Sequence, residues 1–217
     1  MRGFLWGLLL ALFAFPAYAA SGPVLQVSFS NPRLTPSQWT LTLYPDGRGH
    51  FRSVEGSAQA ADPPMIEAPG INRDIQLTPE FAQKAFATVH RSDFFTRDCE
   101  SHLKVAFQGW KTITYSGPDG EGTCRFNYSK HKEIQELGDS FISVAATIVE
   151  GERLEMLWRH DPLGLDREME YITEAVADGR LLQIVAIRGI LEQLAQDPAV
   201  MERVRKRSSL LLSRMQR

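Results

Sequence analysis

The chain reads as an α+β protein: a two-layer sandwich of antiparallel sheet covered by helices on one side, followed by a helical C-terminal segment. Three observations carry that reading. Short stretches alternating apolar and polar residues cluster near the N-terminus and again between His102 and Tyr128. Each cluster is followed by a segment with an apolar stripe at helical spacing. From Asp161 onward the alternation ends and only helical periodicity remains. A sheet with one oily face and helices with one oily stripe bury those surfaces against each other. At roughly 25 cal/mol per Å² of apolar surface, covering the sheet dominates the folding energy. The expected organisation is residues 1–20 as a signal peptide, 21–160 as the sandwich domain and 161–217 as the helical segment.

Arg2 gives the chain a short positive start, Phe4 to Phe15 is an unbroken run of apolar residues and glycine, and Pro16 ends it. Ala17-Tyr18-Ala19 is a small-x-small cleavage signature, so cleavage is expected near Ala19. The apolar run is too short to span a bilayer comfortably, which leaves an uncleaved anchor as the lesser alternative. No cysteine follows it, which argues against a lipid anchor. Just under 200 of the 217 residues then remain, enough for one domain with a real core. Losing Arg2 takes the formal charge from −2 to −3, which points away from nucleic acid.

In chain order, Val24 to Ser30 alternates as a half-buried strand. Asn31 to Ser37, with two prolines, is a loop. Trp39 to Tyr44 alternates again, Pro45-Asp46-Gly47 turns it, and Gly49 to Val54 returns. Gly56 to Gly70 shows no period and reads as an exposed loop. A helix follows with a clear start, Thr78 as N-cap, Pro79 at the first position and Glu80 in the first turn. Phe81, Ala85 and Val89 form its stripe, it stops near His90 or Arg91, and Phe94-Phe95 plugs the end of the core.

His102 to Tyr128 reads as a second meander: HLKVAF, the Gln108-Gly109 turn, WKTITYS, a glycine-rich loop from Gly117 to Gly122, and TCRFNYS. Cys124, Phe126 and Tyr128 share one face of the last strand. His131 to Val149 is the covering helix, with a stripe of Ile134, Leu137, Phe141, Ala145 and Ile148. Gly138 costs it up to about 1 kcal/mol relative to alanine. VLQVSF resembles HLKVAF and WTLTLYPDG resembles WKTITYSGPDG, so βββα occurs twice, either as a duplication or as two meanders sharing turn chemistry. Aligning Trp39 with Trp110 flips strand parity; aligning Leu41 with Ile113 restores it. Beyond Asp161, helices are expected over Asp166–Ala177, Arg180–Gln196 and, opened by Asp197-Pro198, onward to about Ser213.

Cys99 and Cys124 are the only cysteines, and in an exported chain an isolated pair predicts one disulfide. If the strand order is sequential, the segment before His102 must cross the inner face of the sheet; otherwise the order is not sequential. Cys99-Glu100-Ser101-His102 places a thiol, a carboxylate and an imidazole together, but no further zinc ligands are implied. Cys124 shares a face with Phe126 and Tyr128, which predicts burial rather than nucleophilic chemistry. Pro118-Asp119-Gly120-Glu121-Gly122 does not follow the alternating ligand pattern of a calcium loop. No catalytic residue, metal or cofactor is therefore expected. Trp39, Trp110 and Trp158 read as packing residues before ligand-lining ones. Arg203, Arg205, Lys206, Arg207, Arg214 and Arg217 crowd the C-terminus, interleaved with Leu210 to Leu212. They form either a solvated helix end or a contact with an anionic membrane surface.

The WTLTLYPDG hairpin, the helix ending in Phe-Phe and the Ser-Gly-Pro-Asp-Gly turn before a cysteine resemble uncharacterised secreted bacterial domains, over about residues 37–149. That family transfers no catalytic residues. Tandem sheet-plus-helix units with a disulfide are also similar in fold to secreted β-lactamase inhibitor proteins. The expected function is that of an exported, non-enzymatic protein binding a protein or cell-envelope partner. The alternative is an envelope hydrolase with its site between the sandwich and the C-terminal helices.

Overall fold

The computed structural model describes residues 22–54 and 70–215; the leader read at 1–20 lies outside them, as does most of the loop read at 56–70. Six antiparallel strands form one sheet: β1 (Val24–Ser30), β2 (Gln38–Leu43), β3 (Arg48–Ser53), β4 (Asn72–Gln76), β5 (Trp110–Gly117) and β6 (Gly120–Phe126). The order is β4-β3-β2-β1-β5-β6, so the first strand is interior and β5 returns to its far side. The register places the expected apolar residues on one face. Phe51, Leu41, Val27, Ile113 and Cys124 form a continuous buried row across five strands. Trp39 is buried and stacks on Phe29 at 5.5 Å between ring centroids, whereas Trp110 faces outward. The parity that aligns Leu41 with Ile113 is the one the sheet adopts.

Two helices roof this face, which establishes the α+β sandwich. α1 (Pro79–Arg91) starts as expected: the Thr78 hydroxyl accepts the Phe81 N–H at 3.2 Å and Pro79 occupies the first turn. Ala82, Ala85, Phe86 and Val89 are buried, and Phe95 closes the end of the core with Phe94 half-buried beside it. α2 (Lys132–His160) runs eleven residues past the expected end at Val149. It continues because its two halves serve different cores. Ile134, Leu137, Phe141 and Ile148 cover the sheet, while Leu154 belongs to a second cluster built from α3 (Leu165–Ala177), α4 (Arg188–Gln196) and α5 (Glu202–Arg214). Met169, Ile172, Leu191, Leu194, Val204 and Leu211 fill that cluster.

Several expectations are corrected. HLKVAF is not a strand: residues 101–109 have no regular structure. Both edges of β5 are already taken, by β1 and β6, so a hairpin partner ahead of it has no edge to join. The βββα repeat fails with it; four strands and a helix are followed by two strands and a helix. β4 was not anticipated, because among its five residues only Ile75 is both apolar and buried. The continuous helix expected over Arg180–Gln196 is broken. Gln183 adopts φ +56°, a 3-10 turn follows over Ile184–Ile187, and α4 begins only at Arg188. The break lets Leu182 pack on the sheet core, where its carbonyl accepts the Thr147 hydroxyl at 2.6 Å. Asp197-Pro198 does not open α5, which starts at Glu202; Asp197 instead accepts Trp158 Nε1–H at 2.7 Å and the Ala199 N–H at 2.9 Å.

Gly138 is a packing requirement rather than a weakness. A Cβ there would lie 2.8 Å from the Phe126 ring and 2.9 Å from Lys111 Cδ. Lys111 itself is the anomaly of the core. It stands on the buried face of β5 at 1 % exposure, its ammonium hydrogen-bonds nothing among the described residues, and the half-exposed Asp139 is 3.7 Å away. Burial drives its pKa down, only partly offset by Asp139. Lys111→Met removes the buried charge and leaves Asp139 in water, so it is expected to stabilise the fold by about 1–2 kcal/mol. Urea unfolding of the two proteins checks this; a lower midpoint for the variant would show that the Asp139 pair outweighs desolvation.

Candidate functional site

The disulfide is formed: Cys99 and Cys124 are joined, with both side chains buried. It holds residue 99 against β6, and the Ser101 N–H extends this attachment by donating to the Tyr128 carbonyl at 2.9 Å. Chain leaving Ser101 must then pass around the end of β6 to enter β5 at Trp110. That detour turns the expected strand into a loop. Asn127 takes over the role of a ladder, its Oδ1 accepting the Gln108 N–H at 2.7 Å and its Nδ2 donating to the Ala106 carbonyl at 3.2 Å. Asn31 adds a bond from its Nδ2 to the Gln108 carbonyl at 3.1 Å. Gly109, at φ +117°, lies so close to Phe29 that a Cβ would sit 2.4 Å from the ring.

The loop is pinned by its backbone, and its side chains are left outside. Leu103 is 60 % exposed, Phe107 42 % and Val105 40 %. Leu34 in the neighbouring 31–37 loop, Val54 at the end of β3 and Trp110 at the start of β5 are exposed too. All six lie at the end of the sheet where β1, β3 and β6 finish and β2 and β5 begin. Among the described residues, the other exposed large apolar side chains, Tyr44, Leu163, Tyr171 and Leu210, lie outside this group. A grouping of this kind marks a contact surface, whereas scattered apolar side chains need no explanation.

Charge at this end is mostly positive. Arg33, Lys104, Arg125 and Lys130 are exposed. The nearby acids are engaged. Asp98 accepts from His102 Nε2 at 2.6 Å, which with the Glu100 N–H holds its carboxyl below the usual range. Burial raises the pKa of Glu100, but the N–H groups of Asn127 and His102 outweigh it and keep the carboxylate ionised.

The outer face of the sheet continues the surface. Arg52, Thr40, Ser28, Thr112 and Arg125 form one row across β3, β2, β1, β5 and β6. The two arginines are four strand spacings apart, about 19 Å. This row and Trp110 border an open trough of about 600 Å³ whose lining carries two cations and no carboxylate. Arg125 stacks over the Trp110 ring at 4.7 Å, and Phe107 meets Trp110 edge-on at 6.1 Å.

The remaining candidates are placed as follows. Cys124, being disulfide-bonded, offers no nucleophilic thiol. Asp119 accepts the Tyr115 hydroxyl and faces His90 at 3.4 Å, a turn-closing arrangement. Among the described residues no group of three or more His, Cys, Asp or Glu could hold a metal ion, and no helix is long and apolar enough to cross a membrane. The cleft where α1 and α2 meet Leu182 and Gln183 holds about 190 Å³, and its Glu133 is paired with Arg91 at 3.0 Å. On α5, Val204 and Leu211 are buried in the second core, and Arg203 and Arg207 bind Asp166 at 2.7 and 2.6 Å. Val204, Leu211, Arg203 and Arg207 are thus engaged within the molecule, while Leu210 stays exposed.

No family model and no curated protein matches this chain. The resemblance to secreted bacterial domains therefore adds nothing to the site, which rests on geometry alone. In the sequence the apolar loop tips show only as a strand-like alternation, and β5, the partner that alternation predicts, has no free edge for it.

Proposed function

We propose that this chain is an exported binding protein that acts by contact rather than by chemistry, and that it meets its envelope partner with the loop end of the sheet. The observation that carries this reading is the gathering of Leu34, Val54, Leu103, Val105, Phe107 and Trp110 at one end. The disulfide supports an oxidising compartment, and the leader at residues 1–20 supports export. The rigid part of the fold lies behind the surface: a roofed sheet fixes the strand ends, and the loops carry the contacts.

Changing Leu103, Val105 and Phe107 together to serine removes the apolar tips without touching the core. Exposed substitutions of this kind shift stability by only about 0.5 kcal/mol each, so the thermal unfolding curve should stay close to that of the parent. Retention on a cell-envelope fraction, measured by pelleting, is expected to drop at least about ten-fold, since each buried apolar side chain contributes about 1.5–3 kcal/mol to an interface. Unchanged retention by a folded variant would remove the loop end as the contact surface.

A further inference from the structure

Resting on that reading, we infer that the partner met by the loop end is the surface of an anionic lipid bilayer. Three features of the surface fit a bilayer.

The first is the order of side chains along the direction in which the loop projects. Leu103, Val105 and Phe107 are on the loop itself. Trp110 stands at the first residue of β5, and Arg125 lies level with Thr112, two residues further into the sheet. Apolar tips, then an indole, then a guanidinium is the sequence met on leaving the hydrocarbon for the headgroups, with tryptophan favoured at the boundary.

The second is shape. Leu34, Leu103, Val105 and Phe107 sit on the 31–37 and 102–108 loops, outside the trough that Val54 and Trp110 help to line, rather than in a concave apolar pocket. Hot spots of protein interfaces are packed into such pockets. A bilayer asks only that apolar side chains protrude.

The third is charge. Arg33, Lys104 and Arg125 make no ion pair among the described residues, and Lys130 acts on Asp98, itself held by His102. The trough behind the tips has Arg52 and Arg125 at its two ends and a floor of Thr40, Ser28 and Thr112. Guanidinium groups over short hydroxyls suit phosphate oxygens of lipid headgroups. Cations near an anionic bilayer each strengthen attachment, and salt weakens it.

The test uses the exported form of the chain with sonicated vesicles of phosphatidylglycerol or phosphatidylcholine. Binding to phosphatidylglycerol is expected to exceed that to phosphatidylcholine by at least about ten-fold, and Lys104→Ala and Arg125→Ala should each weaken it by about five-fold. The L103S/V105S/F107S variant should lose binding to both. Brominated lipid should quench tryptophan emission in the parent and markedly less in Trp110→Phe, which locates the inserted end. Equal binding to both lipids, or an unaffected triple variant, overturns the inference. Suppose the triple variant loses envelope retention, the parent ignores phosphatidylglycerol vesicles, and protease treatment of the envelope abolishes retention of the parent. The partner is then a protein, and only the lipid assignment falls. If the triple variant keeps its envelope retention, the contact surface itself is wrong.

Discussion

Replacing both Cys99 and Cys124 with alanine is expected to lower the unfolding free energy by about 3 kcal/mol. The crosslink closes a loop with a sequence separation of 25, and the chain-entropy relation assigns a loop of that length about this value. Both sulfurs are in the sheet core, so alanine adds a smaller loss of packing. Denaturant unfolding with and without reductant separates the two. The reduced parent should unfold well below the oxidised parent, and the double variant slightly below the reduced parent. If oxidised and reduced parent unfold together, the bridge adds nothing to stability. The crosslink also anchors the start of the 102–108 loop, so its loss should weaken contact by the loop end before the fold is lost.

Raising the pH from about 4.5 to about 8 is expected to destabilise the second core through Glu150. This residue of α2 faces Glu168 of α3; Glu150 Oε2 and Glu168 Oε1 are buried with no hydrogen-bond partner among the described residues. Arg153 binds the other oxygen of Glu168 at 2.9 Å, and Asp161, Arg167 and Tyr171 border the same hollow. Burial, then the neighbouring Glu168 carboxyl, push the Glu150 pKa up to about 8, against 4.5 in an unfolded chain. Between those values the folded state keeps a proton that the unfolded chain has released. Stability is therefore complete below about pH 4.5 and falls as pH rises, by up to about 1.4 kcal/mol per unit, until the folded group also ionises. Glu150→Gln keeps the contact without the proton and should flatten the profile. Urea unfolding at pH 5, 6.5 and 8 reads the slope; parallel profiles for parent and variant would show that the pair does not share a proton.

Local signals were strongest where one residue's chemistry suffices. Thr78-Pro79 starts α1 because a hydroxyl and a fixed φ satisfy the first turn whatever lies around it. The alternation in β1, β2, β5 and β6 placed Leu41, Ile113 and Phe126 inside because side chains on a strand have only two faces. The cysteine pair left one partner for each sulfur. The same logic failed where neighbours decide. HLKVAF has the pattern of a strand, yet β1 and β6 hold both edges of β5, and pairing is a property of two strands rather than one. β4 has a single buried apolar residue of its own and exists because β3 offers it an edge. Asp197-Pro198 looks like a helix start but serves Trp158 and a turn.

The contact surface follows the same division. The apolar character of Leu103, Val105, Phe107 and Trp110 is written in the chain, since hydrophobicity belongs to each side chain alone. Their exposure is not, because it depends on a disulfide drawing residue 99 to the far side of β6 and forcing the chain around the end of the sheet. Composition and periodicity thus determined which residues are oily and which faces they share. Tertiary structure decided which of those faces found a cover, because burial depends on the position of every other element.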